Sequence, residues 1–182
     1  MLQRHHCRRI NGRRPHRGDG FTLIELIAVM LIVLVMSATA IPAIASLDDT
    51  RDAVAARQLR RDLVFARQYA IATGRTTWVV MTPASNTWSV LAEDVSSPGR
   101  SGATVLDDLG TGGAYTVTLD DINAGTANLV SVDVDGATEV GFDWLGRPLN
   151  DTESALVNPA TITLSGSQTL NIVPDTGHIT GP

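Results

Sequence analysis

Apolar and polar positions change their spacing twice along this chain. Residues Leu26 to Leu47 form a run of 22 without a formal charge. Wound as a helix, such a run extends about 33 Å, close to the thickness of a bilayer's hydrocarbon core. From Asp48 to Thr73 the spacing becomes amphipathic: Ala56, Leu59, Leu63, Ala66 and Ala70 recur at intervals of three and four and share one helical face. Arg57, Arg60, Arg61 and Arg67 lie largely off that stripe, and Gly74 is placed to end the helix.

Beyond Gly74 the pattern is one of short strands and turns. Thr76–Met81 and Thr87–Leu91 flank Pro83-Ala84-Ser85-Asn86, which predicts a hairpin. Further strands are predicted at Tyr115–Leu119, Leu129–Val134, Glu139–Trp144, Ala160–Leu164 and Thr169–Val173, with Leu145-Gly146-Arg147-Pro148 as a turn. Residues 93–114, rich in Gly, Ser and Asp, read as loop. A long helix followed by antiparallel strands predicts an α+β fold in which the amphipathic half of the helix packs on a β-sheet head.

Charge sharpens this division. Residues 1–20 carry six arginines against one acid, Asp19, whereas residues 76–182 carry two arginines, Arg100 and Arg147, against thirteen acids. A basic tip, an apolar run and an acidic body read as parts with separate tasks. An acidic body argues against nucleic acid as the main partner, because phosphate binding needs a positive surface. Every basic residue is arginine, a choice for which we have no physical account. The single cysteine, Cys7, lies in the basic tip, so no intramolecular disulfide can form and the body folds on packing alone.

The apolar run admits three readings. As a secretory signal, Leu26 to Met36 would be its hydrophobic region and Ala38-Thr39-Ala40 its cleavage site, giving a mature start at Ile41. As a plain anchor it would simply hold the body to a membrane, with the arginine-rich tip on the cytoplasmic side. Both leave Glu25 unexplained. An acid deep in a membrane helix costs about 3 kcal/mol on insertion scales, so such a residue is expected to have a partner.

The third reading rests on a resemblance. Gly20-Phe21-Thr22-Leu23-Ile24-Glu25, after a short basic leader and before a long apolar helix, resembles the signal of type IV pilins and type II secretion pseudopilins. The resemblance implies cleavage between Gly20 and Phe21 by a prepilin peptidase and N-methylation of Phe21 by the same enzyme. It makes Glu25 the fifth residue of the mature chain, where the family's glutamate pairs with the N-terminal amine of a neighbouring subunit during assembly. The family's extreme tip subunit commonly lacks this glutamate, so its presence here implies a place beneath another subunit. An apolar setting strengthens such a carboxylate–ammonium attraction and makes either charge alone expensive.

Pro42 falls where many pilins carry a proline. It reads either as a helix end at the membrane surface or, by resemblance, as a kink or locally melted stretch that lets subunits pack. The helix arginines likewise read either as a solvated face or as contacts to the acidic bodies of adjacent subunits in a filament.

The second half of the chain resembles the H-type minor pseudopilins, the GspH/FimT-like group. The residues that carry this are Phe142-Asp143-Trp144-Leu145-Gly146-Arg147-Pro148, then Ile162-Thr163-Leu164, then Leu170-Asn171-Ile172-Val173 followed by Gly177-His178-Ile179. Mannose-sensitive haemagglutinin-type minor pilins share similar features. Many major pilins close a C-terminal loop with two cysteines, which this chain lacks, so a pseudopilin or minor subunit is favoured. The expected organisation is a cleaved leader over 1–20, a transmembrane and polymerisation helix over 21–47, and a periplasmic head over 48–182, β-rich from 75.

No catalytic or cofactor-binding constellation emerges. His178 is the only histidine beyond the leader and no cysteine accompanies it, which argues against zinc. Ser165 and Ser167 lack a nucleophile-elbow frame, and phosphate-binding glycine patterns are absent. Asp133-Val134-Asp135-Gly136, Asp107-Asp108 and Asp120-Asp121 raise calcium, which major pseudopilins bind, but no twelve-residue ligand loop surrounds them, and solvated turn acids are the better reading. The expected function is structural: a minor subunit of a type II secretion pseudopilus, or alternatively a minor pilin acting in pilus assembly, adhesion or DNA uptake. The expected partners are the prepilin peptidase, other pilin-like subunits, an inner-membrane assembly platform and membrane lipid, with neither metal nor cofactor.

Overall fold

The computed structural model describes residues 21–108, 110–122 and 127–181, without the side chains of 38–48. The basic leader, Gly20 and the Pro42 side chain therefore lie outside the described residues. The first element is α1, Leu23–Thr73, whose backbone is helical through Pro42. Internal contacts divide the chain at that point into two compact units, one ending at Ile41 and one running from Pro42 to Pro182.

In the second unit the predicted stripe is the buried face. Ala55, Ala56, Leu59, Leu63, Ala66 and Ala70 are completely inaccessible to solvent. Leu59 and Leu63 are among the largest fully buried side chains of the head. Each fully buried leucine is worth about 1.5–3 kcal/mol relative to exposure. The helix ends as predicted: Gly74 adopts φ +69° and its amide donates to the carbonyl of Ala70 at 2.9 Å. A left-handed residue in this position favours glycine, which has no Cβ to clash.

Among the described residues ten strands follow: β1 Thr77–Thr82, β2 Thr87–Ala92, β3 Thr104–Val105, β4 Thr116–Thr118, β5 Leu129–Asp133, β6 Glu139–Phe142, β7 Pro148–Leu149, β8 Ala160–Leu164, β9 Thr169–Ile172 and β10 Ile179–Thr180. They form two antiparallel sheets. The first has the order β3-β2-β1-β6-β7, with β4 also pairing with β2, and the second the order β10-β9-β8-β5. Inward residues alternate along β2 and β8, the period-two pattern of a sheet with one face on a core. Val79, Met81, Trp88, Val90, Val140 and Phe142 of the first sheet and Ile162, Leu164, Leu170 and Ile172 of the second join the helix stripe in one hydrophobic cluster.

The β1–β2 hairpin turns through a short 3₁₀ segment, Pro83–Ser85, closed by Asn86 at φ +52°. Asn86 also links the two sheets. Its Nδ2 donates to Asn128 Oδ1 at 2.7 Å and its Oδ1 accepts from the amide of Leu129 at the start of β5 at 3.0 Å.

Three strands depart from the sequence expectation. β3 lies inside the segment read as loop, β7 begins within the predicted turn, and β10 lies past the last predicted strand; each is two residues long, too short to show a period. β6 also stops at Phe142 rather than Trp144, because Asp143 turns the chain.

Candidate functional site

The motif at the head of α1 is built as a helix start. Thr22 precedes the first helical residue, and its Oγ1 accepts a hydrogen bond from the amide of Glu25 at 3.3 Å. Its carbonyl accepts from the amides of Glu25 and Leu26 at 3.0 and 3.2 Å. Thr-x-x-Glu is the sequence pattern of a capping box, and Thr22 satisfies one of the donors that a helix N-terminus leaves free. Glu25 occupies the first turn, where a negative charge complements the positive end of the helix dipole. Thr22 was not singled out as a cap from the sequence, although that four-residue spacing carries the signal.

From Phe21 to Ser37 every residue is exposed, including Phe21 at 78% and Ile24 at 76%. A helix apolar on all sides needs an apolar surrounding, whether lipid or other helices. Among the described residues no helix is long and apolar enough to cross a membrane. Part of the 22-residue run, residues 38–47, falls among the side chains outside the description.

At the C-terminal end of α1, Arg67 joins two turns far apart in sequence. Its Nε donates to the carbonyl of Gly146 and its Nη2 to the carbonyl of Thr176, both at 3.0 Å. The first turn is organised by Asp143, which is 93% buried: Oδ1 accepts from the amides of Leu145 and Arg147, and Oδ2 accepts from Arg147 Nε at 2.8 Å. Gly146, at φ +77°, lies so close to Ile71 that an added Cβ would come 2.7 Å from Ile71 Cδ1. Of the helix arginines, Arg67 therefore departs from the solvated-face reading, because its guanidinium is spent on backbone carbonyls. The segments that carry the H-type resemblance, 142–148 and 177–179, meet at this side chain.

A second polar cluster lies under the first sheet. Asp62 is completely buried on α1 and accepts hydrogen bonds from Trp88 Nε1 at 2.8 Å, Tyr115 Oη at 3.0 Å and Gln58 Nε2 at 3.1 Å. Burial pushes its pKa above the ordinary carboxylate value, and the hydrogen bond from Trp88 offsets this in part. Burial and the adjacent Asp62 charge push the Tyr115 hydroxyl up to about 12. Tyr115 also stacks on Phe65, with ring centroids 5.3 Å apart. Asp52, on the same helix, accepts from Ser165 Oγ at 2.5 Å. Sequence reading had no signal for Asp52 or Asp62, which sit beside the apolar stripe; besides the nearby Gln58, their partners Trp88, Tyr115 and Ser165 come from residues 26 to 113 positions away.

Three of the acids that raised calcium accept from backbone amides, Asp133 and Asp108 within their own turns and Asp135 from a loop 22 residues on. Asp133 accepts from the amide of Gly136 at 3.0 Å, Asp135 from the amide of Val157 at 3.0 Å, and Asp108 from the amide of Gly110 at 2.9 Å. Among the described residues no group of three or more His, Cys, Asp or Glu side chains converges as a metal site.

The profile of the family described as Type II transport protein GspH matches residues 55–175. The chain belongs to the GspH family. The matched region runs from the buried helix face through the Arg67-linked turns to the end of β9, so this GspH-type pseudopilin carries its family signature in the α+β head. A prokaryotic N-terminal methylation motif matches residues 16–41. Two solved structures of the minor pseudopilin EpsH from the Vibrio cholerae type II secretion system share the fold. One superposes with a TM-score of 0.52 at 11% identity, covering 72% of this chain and 94% of EpsH. The other gives 0.54 at 10% identity, covering 74% and 97%. No curated protein sequence matches this GspH-type chain.

Proposed function

We propose that this chain is a minor subunit of a type II secretion pseudopilus, made as a precursor and assembled from the inner membrane. A prepilin peptidase cuts between Gly20 and Phe21 and methylates the new Phe21 amine. The helix from Phe21 to Leu47 then holds the subunit in the inner membrane, with the head in the periplasm, until an assembly platform passes it to other pilin-like subunits. Glu25 receives the amine of a neighbouring chain, and Pro42 gives the helix its freedom to bend. One observation carries this reading: a single chain joins the methylation motif over 16–41 to a GspH head over 55–175. The exposed apolar helix over 21–37, inside the methylation-motif match, supports it, since such a surface needs lipid or other helices around it. Mass spectrometry of the protein purified from membranes tests the processing. A terminus at N-methylated Phe21 is expected, and a mature start at Ile41 would establish a secretory signal instead.

A further inference from the structure

We infer that the outer face of α1 at Arg57, Arg60 and Arg61 docks the acid-rich head of a neighbouring pilin-like subunit. This rests on the pseudopilus reading and assigns one of its contact surfaces. The three arginines and Val64 line an open groove of about 250 Å³. They stand at helical spacings of three and four, so they form one stripe pointing away from the buried alanines and leucines. Like charges so spaced repel, and their concentration here needs a compensating surface.

Among the described residues a single carboxylate comes within ion-pair distance of these arginines, the buried Asp62 beside Arg61. The head's own arginines are used internally, Arg100 with Glu139 at 2.7 Å and Arg147 with Asp143 at 2.8 Å. Arg61 keeps an exposed side chain while its Nη2 donates to Gln58 Oε1 at 2.5 Å and its Nε lies 3.9 Å from Asp62. Arg57 and Arg60 have no carboxylate within ion-pair distance among the described residues. The chain thus separates its charge, with guanidinium groups gathered on the helix and thirteen acids against two arginines over residues 76–182. Such a helix face and such a head are complementary between molecules. Val64 adds an apolar floor on which guanidinium stems can lie, and guanidinium forks match carboxylates in geometry as well as charge.

Photocrosslinking in cells making the full chain tests this. Benzoylphenylalanine replaces exposed Gln68, one turn beyond Val64, and in a second strain it replaces exposed Val33 in the N-terminal helix as a control for filament assembly. The Gln68 probe is expected to capture a pilin-like subunit, another copy of this chain included, through a peptide rich in Asp and Glu. Arg57→Glu with Arg60→Glu should lower that yield about tenfold, and the paired Arg→Lys changes should retain most of it, with equal amounts of protein in the membrane. An unchanged yield after charge reversal, capture of lipid instead of protein, or no Gln68 product while Val33 still captures subunits would each overturn the inference alone. Loss of subunit capture at both positions would overturn the pseudopilus reading, and the inference with it.

Discussion

The indole Nε1 of Trp88 donates a 2.8 Å hydrogen bond to Asp62, a carboxylate completely buried on α1. The pair fastens β2 to the helix, and Tyr115 adds a second donor from the loop that leads into β4. Asp62→Ala removes the acceptor and leaves a buried indole N–H unpaired, which should cost about 1–3 kcal/mol. Asp62→Asn should be much milder, because its Oδ1 can accept from Trp88 while its amide donates to the Tyr115 oxygen. Thermal melts of the full chain in detergent check the ranking, and equal losses for the two variants would contradict it.

The same carboxylate sets a pH dependence. Its pKa is raised in the folded chain, so the folded state holds the proton more tightly than the unfolded state does. Its contribution to stability is therefore complete below the unfolded value near 3.8 and is lost as pH rises through the folded value. Asp94, Asp108 and Asp135 are lowered by hydrogen bonds and act in the opposite sense: their contribution is present above the unfolded value near 3.8 and is lost as pH falls through their lowered folded values. Subtracting the wild-type melting temperature from that of Asp62→Asn isolates the buried group. The difference should grow in favour of Asn from pH 4 to pH 7; a flat difference would show that Asp62 carries no such linkage. Tyr115, raised to about 12 from 10.0, adds a loss of stability between those values that Tyr115→Phe should remove.

Arg67 gives a prediction about local order. Arg67→Ala frees the carbonyls of Gly146 and Thr176, at a cost of about 1–3 kcal/mol. Hydrogen exchange should quicken in residues 143–148 and 173–179 more than in β8 or β9. Arg67→Lys should rescue only part, since one ammonium cannot reproduce the fork that spans two turns. Uniform loss of protection across the head would mean that the side chain acts on the whole fold rather than on these turns.

On the proposed reading, substitution of Glu25 should separate processing from assembly. Glu25→Ala leaves the leader and the Gly20–Phe21 bond unchanged, so cleavage should proceed. Incorporation should fall, because losing one member of a pair in an apolar setting typically costs about 3–5 kcal/mol. Glu25→Gln should be intermediate at best. Counting mutant subunits in sheared filaments against the membrane pool decides it, and normal incorporation of Glu25→Ala would remove the pairing role.

The features legible in the sequence were those with a period or a local signature. Ala56, Leu59, Leu63, Ala66 and Ala70 announced the buried face, and all are inaccessible. Pro83 and Asn86 announced the hairpin that the structure shows. What escaped were contacts between residues distant in the chain. Asp62 reads as one more polar helix position until Trp88 and Tyr115 arrive beside it, and Arg67 reads as solvated until two turns close over it. Strands of two residues, such as β3 and β10, depend on their neighbours and have no pattern of their own.

The link that Asn86 makes to Leu129 has a further consequence at the sheet margins. A free strand edge is a template for fusion with another sheet, and proteins held at high local concentration must suppress it. Here Asn86 caps the start of β5, and a register shift between Leu129 and Ser131 breaks the regularity of that strand. At the other margins β7 contains Pro148, β10 has only two residues, and β3 and β4 divide one side of β2 between them. No margin among the described residues offers a long, even ladder to an incoming strand. Copies of this head, were they crowded side by side as the proposed pseudopilus requires, would thereby be protected from amyloid-like merging, and their association would be left to side chains and helices, whose contacts can be reversed.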